Sequence, residues 1–181
     1  MITNLLLFLS LILSLIFVKS EKLIYTRFSF CFATLFSSLT LYFFNKPLAS
    51  LAYLTLLTVF SPGLIGFIEN KFKLTLSGKI SFKNFLSLIL TSIFIFFILR
   101  THIEAASLLA SALIAFSGII FNFNILKRFL SILLFEAFLF ILLEIYFQKS
   151  FVTIILLLLL FFSSITLSLT ANFIFKSKTK L

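Results

Sequence analysis

Seven apolar runs of about bilayer-crossing length follow one another along this chain, and polar residues gather mainly between them. A spanning helix needs about 20 apolar residues, with about 17 at the short end. The runs are Ile2–Val18, Leu23–Phe44, Leu48–Ile68, Asn84–Leu99, Ile103–Phe121, Ile125–Tyr146 and Phe151–Phe175. Apolar residues make up 62% of the 181, and charged residues only 11%. A soluble domain of this size cannot hide so much apolar surface, because much of any folded chain still meets water. The expectation is an all-α integral membrane protein with seven transmembrane helices. The first run lacks a basic start and an A-x-A cleavage site, and Lys19 and Lys22 follow it, so it reads as a retained helix.

The basic residues assign sides to these runs. Lys19, Lys22 and Arg27 follow the first; Lys71, Lys73, Lys79 and Lys83 follow the third; Lys127 and Arg128 follow the fifth; Lys176, Lys178 and Lys180 follow the seventh. That is twelve on one side, against Lys46, Arg100 and Lys149 on the other. Cytoplasmic loops carry the excess of Lys and Arg, so the amino terminus is expected outside and the carboxyl terminus in the cytoplasm. Tyr25, Tyr42 and Tyr146 fall near the expected interfaces, where amphipathic rings are favoured. The chain reads as one membrane domain, 1–181. Within it are a three-helix part at 1–69, a polar cytoplasmic loop at 70–83 and a four-helix part at 84–175.

The same residues exclude several functions. A net charge of +10 invites a nucleic-acid reading, but the bases sit in short clusters between apolar runs, as membrane topology places them. With one cysteine (Cys31), one histidine (His102) and no aspartate, a self-contained metal site, catalytic triad or phosphate loop is close to excluded. No cofactor or metal is expected, and no catalytic residue.

Among the five acids, Glu136 stands apart. It lies eight or nine residues beyond Arg128 and Lys127, or about 12–13 Å at 1.5 Å per residue, near the middle of a core about 30 Å thick. An ionisable group at that depth costs roughly 3 kcal/mol and usually marks an ion or proton path. A neutral Glu136 could exchange a proton with water entering the protein, or could simply bond a neighbouring helix. Glu144, about 80° further round the helix, is either a solvated end residue beside Lys149 or an outer member of the path. Glu104 and His102, beside Arg100, read as a hydrated helix start or an outer mouth. Pro62, Gly63 and Gly66 predict a break or kink in the third helix, where Thr55 and Thr58 could rebond freed carbonyls. Ser107, Ser111, Ala115 and Gly118 form a small-residue face suited to close packing. Ser163, Thr166 and Thr170 share a face of the seventh run.

From Gly118 to Phe138 the chain reads Gly-Ile-Ile-Phe-Asn-Phe-Asn-Ile-Leu-Lys-Arg-Phe-Leu-Ser-Ile-Leu-Leu-Phe-Glu-Ala-Phe. A glycine-containing apolar helix, a short Asn-hydrophobic-basic turn and a helix with a central Glu resemble the K subunit of complex I. The last three helices resemble that subunit as a unit. The unit also resembles the C subunit of Mrp-type antiporters and component E of hydrogenase 4, the formate hydrogenlyase membrane subunit family. Component E looks nearest, because its family adds amino-terminal helices. Asn124-Ile125-Leu126 before Lys127 and Glu136 is similar to that family's turn and acid spacing. Leu48 to Leu64 and the opening Asn4 to Lys22 are similar to its other helices.

The resemblance implies a non-redox subunit of a multi-pass assembly in the inner (plasma) membrane. Its partners would be antiporter-like membrane subunits, a hydrogenase-anchoring membrane subunit and a [NiFe] hydrogenase module, within the lipid bilayer. Glu136 would join a buried axis of charged residues, with Thr55, Thr58 and Glu144 as companions on the proton path. Three departures stand against that pattern. Phe151–Phe175 lacks a second acid, Leu56 and Leu57 follow Thr55 where relatives place a lysine, and Ala137-Phe138 replaces Asn-Gly. Two other classes stay open: a small free-standing transporter or substrate-binding component, and a purely structural scaffold subunit.

Overall fold

A computed structural model describes residues 2–20, 23–60, 63, 82–99, 102–121 and 125–146. The described residues are helical, with no strand among them. The helices are α1 (Ile2–Lys19), α2 (Leu23–Phe43), α3 (Pro47–Tyr53), α4 (Phe82–Ile98), α5 (Ile103–Phe121) and α6 (Ile125–Tyr146). Helix α3 runs on through a π-helical stretch, Leu54–Phe60, just before Pro62. Proline offers no N–H to the preceding turn, so a wider turn ahead of it has a chemical reason. Pro62 and Gly66 lie outside the described residues, as do the loop 70–81, Lys149 and the whole seventh run.

Three helices are long and apolar enough to cross a membrane: Ile2–Lys19, Ile103–Phe121 and Lys127–Tyr146. Helix α2 is as long, at 21 residues, but carries Arg27 and a series of hydroxyl side chains. The apolar parts of the third and fourth runs are shorter, Pro47–Thr58 and Asn84–Ile98. Three helices of this length and hydropathy mark the chain as a membrane protein.

Each helix is apolar nearly all round, so burial follows spacing rather than polarity. On α1 the buried residues are Leu7, Ser10, Leu11, Ser14, Phe17 and Val18, three and four apart, while Phe8 and Ile16 face outward. Helix α1 packs on α2 and α5, α5 on α6, and α2 on α3 and α6, so the amino- and carboxyl-terminal parts share one core. Ser107, Ser111, Ala115 and Gly118 are all buried, as a close-packing face should be. In lipid, helices gain little by hiding apolar surface from tails that are equally apolar. Close packing and interhelical polar contacts choose the arrangement instead.

The α2–α3 connection is fixed by its backbone. Lys46 N–H donates to Leu41 O at 3.0 Å and Asn45 N–H to Tyr42 O at 3.0 Å, the paired bonds of a Schellman cap. Asn45 takes φ 59°, a left-handed position that asparagine tolerates better than most residues. Pro47 then opens α3, where its missing N–H costs nothing. This tight corner turns the chain back on itself and sets Lys46 beside the end of α6.

Candidate functional site

Buried polar groups gather at both ends of this bundle and along one seam within it. At the first end, Lys127 in the opening turn of α6 is only 3% exposed. Its Nζ donates to Val18 O and to Ser20 O, each at 2.7 Å. Those carbonyls lie at the end of α1, where the last turn has no helical donors and the helix dipole favours a cation. Lys19 lies over the Phe85 ring of α4, its Nζ 5.2 Å from the centroid. One end of the bundle thus collects the finish of α1 and the starts of α4 and α6.

At the opposite end of α6, Glu144 is 2% exposed, and its Oε1 lies 3.4 Å from Lys46 Nζ. The expectation of a solvated end residue does not hold; Lys149, its anticipated partner, lies outside the described residues. The reason is tertiary. The α2–α3 corner carries Lys46 to the last turn of α6, and one turn earlier Phe140 stacks on Tyr53 of α3 with centroids 5.8 Å apart.

Glu136 lies between these ends, near the middle of α6. It is half-buried, at the edge of the core rather than within it. Position 136 precedes Phe140 by one turn, so it shares the flank of α6 that approaches α3. Within the protein Glu136 is thus less covered than Glu144.

The two threonines part company. Thr58 Oγ1 lies 3.1 Å from Thr34 Oγ1 of α2. The Phe30 and Cys31 carbonyls also lie within reach of the Thr34 hydroxyl, at 3.0 and 2.9 Å, and either threonine can donate in the pair. Thr55 is exposed and bonds the carbonyls of Leu51 and Ala52 in its own helix. These carbonyls lie more than two turns before Pro62, and Leu51 O already accepts from Leu54 N–H. Thr55 thus makes an ordinary bond within its helix and does not join Thr58.

Glu104 sits half-buried in the first turn of α5 and His102 is exposed, which suits a hydrated helix start. Tyr25, Tyr42 and Tyr146 are exposed near helix ends. Ser163, Thr166 and Thr170 lie outside the described residues. Among the described residues no cluster of His, Cys, Asp or Glu could hold a metal ion.

Two residues of this arrangement escape a reading of the sequence. Lys127 counts there as one more loop charge, and Lys46 as one of three exceptions to the charge bias. For Lys127 a signal exists, since Leu130, Leu134, Ala137 and Ile141 follow it at helical spacing on one buried face. A base that heads an apolar stripe belongs to the packed side of its helix. Lys46 offers no such signal, because only the corner decides what it meets.

No protein-family model, curated protein or solved structure matches this chain. The described residues form a helical protein with three helices long and apolar enough to cross a membrane and buried charges at both ends.

Proposed function

We propose that this chain is a non-redox membrane subunit of a hydrogenase-4 or formate-hydrogenlyase-like complex. In that role it links antiporter-like subunits to the redox module and lends Glu136 to a proton path. The observation that carries this reading is the place of Glu136. It is a carboxylic acid near the middle of a membrane-length helix, half-buried at the rim of the chain's own core. An axis running from one subunit to the next needs its group at such a boundary, where water and a neighbour's side chains can reach it. The resemblance of Gly118 to Phe138 supplies the identity of those neighbours.

The proposal includes seven spans in the plasma membrane, with the end that holds Lys19 and Lys127 in the cytoplasm. The cluster of the α1 finish with the α4 and α6 starts supports that sidedness, since it is the side the basic residues mark. Glu144 and Lys46 then lie toward the outer face, and Thr58 with Thr34 inside the bundle.

Mild-detergent purification of the tagged chain, with mass spectrometry of its companions, tests the assignment. Recovery of [NiFe] hydrogenase and antiporter-like subunits supports it; recovery of the chain alone sinks it and favours a free-standing transporter. Within a recovered complex, Glu136→Gln is expected to lower hydrogen-coupled proton movement by about tenfold or more, in the range of a lost proton-transfer group. Unchanged proton movement in an intact complex would leave the chain a scaffold.

A further inference from the structure

The outward face of α1 ends on a cation. Leu5, Phe8, Ile12 and Ile16 are exposed, three and four residues apart, and exposed Lys19 closes the same stripe in the last turn. From Leu5 to Lys19 is about 21 Å at 1.5 Å per residue, more than the roughly 15 Å of half a membrane core. Because α1 is of membrane-crossing length, its last turn stands at headgroup level. Tyr25, exposed at the start of α2, marks the same level, where amphipathic rings settle.

The cation also has a fixed bearing. Helices α1 and α4 both pack on α5. The Lys19 ammonium reaches across from α1 to the Phe85 ring of α4, 5.2 Å from its centroid. A ring attracts an ammonium electrostatically but has no oxygen to accept its N–H groups. The described acids lie elsewhere, Glu104 and Glu144 at the opposite end and Glu136 between. Along the sequence, the loops on this side hold twelve bases against two acids, Glu21 and Glu69. Charge complementarity therefore calls for an anion, and the apolar stripe beside the cation calls for one with a hydrocarbon tail.

We infer that Lys19, held by Phe85, binds the phosphate of an anionic phospholipid, with an acyl chain along Ile16, Ile12 and Phe8. A free phosphate would use the cation alone, whereas a phospholipid uses the cation and the stripe together. The site needs only that the chain crosses a membrane. It is the same whichever way the chain is oriented and whatever complex it serves.

Native mass spectrometry of the full chain, released from nanodiscs of equal phosphatidylglycerol and phosphatidylcholine, counts the lipid that stays bound. The native chain should retain phosphatidylglycerol over phosphatidylcholine by about fivefold or more, the effect of at least one basic group at a membrane surface. Lys19 is exposed and Phe85 half-buried, so changing either leaves the core intact. Lys19→Gln should lower the ratio by about fivefold. Phe85→Leu keeps every charge but releases the ammonium from its ring, and should lower the ratio by about twofold or more. Equal retention of the two lipids by the native chain overturns the inference. So does a preference that Lys19→Gln or Phe85→Leu leaves unchanged, since a general positive field would account for it. Release of the bound phosphatidylglycerol by millimolar inorganic phosphate would mean that the stripe contributes nothing, and overturns it as well.

Discussion

The two ends of this bundle bury charge in different ways. At one end a cation, Lys127, is held by the carbonyls that finish α1. At the other a carboxylate, Glu144, is held by a cation from a different hairpin. The first arrangement uses backbone groups that every helix must leave over, so it needs only a base in the right place. The second needs two side chains delivered by separate elements, and therefore depends on the corner at Asn45 and Pro47. The contrast teaches that the carboxyl-terminal part of the chain grips the amino-terminal part twice, once by main chain and once by side chain.

Breaking the first grip should have the larger effect. Lys127→Met leaves two carbonyls unbonded and removes a charge-assisted contact, an expected loss of about 3 kcal/mol, seen as a lower midpoint in thermal unfolding in nanodiscs. A midpoint equal to that of the native chain would show that water caps α1 as well as Lys127 does.

The ion pair should yield less and should show coupling. Lys46 keeps 26% of its side chain exposed, so Glu144→Leu alone is expected to cost about 2 kcal/mol rather than the full penalty of an abandoned buried charge. Adding Lys46→Met should recover about 1 kcal/mol or more, because no unpaired charge remains. Simple additivity of the two single changes in that double-mutant cycle would mean that the two side chains do not act on each other. Raised salt sharpens the comparison: it should weaken the partly exposed Lys46–Glu144 pair more than the buried Lys127 contacts.

The smallest expected effects lie in the seam that joins these ends. Thr58→Val removes one hydroxyl of the interhelical pair and should cost about 1 kcal/mol, close to the average for hydrogen bonds between helices in lipid. Thr55→Val, on the exposed side of the same helix, should stay within about 0.5 kcal/mol. Equal losses at both threonines, measured by the same unfolding assay, would erase the distinction between seam and surface.

Much of this architecture is legible in the residues, and the limits follow from physics. The run expected at Ile2–Val18 becomes a helix at Ile2–Lys19, and those expected at Ile103–Phe121 and Ile125–Tyr146 become helices with the same bounds. Lipid demands continuous hydropathy and internal hydrogen bonding, and both are properties of a single segment. The small-residue face of α5 was legible for the same reason. The burial of Glu144 was not, because it depends on Lys46, and no local pattern joins the end of α2 to the end of α6. Glu136 was legible as an acid inside an apolar helix. How far the protein itself covers it was not, since position along a helix says nothing about which face is packed.

The clasp on α1 also has a bearing on how the chain is made. Lys127 lies 109 residues beyond Val18 and 107 beyond Ser20. During synthesis α1 is therefore complete, and already beside α2, long before the residue that seals its end exists. Contacts that span so much of a chain close slowly and late. Until then the amino-terminal helices must rest on their own packing and hydroxyl seam. The contacts that close the end of α1 are therefore among the last the chain can make, and they come with α6.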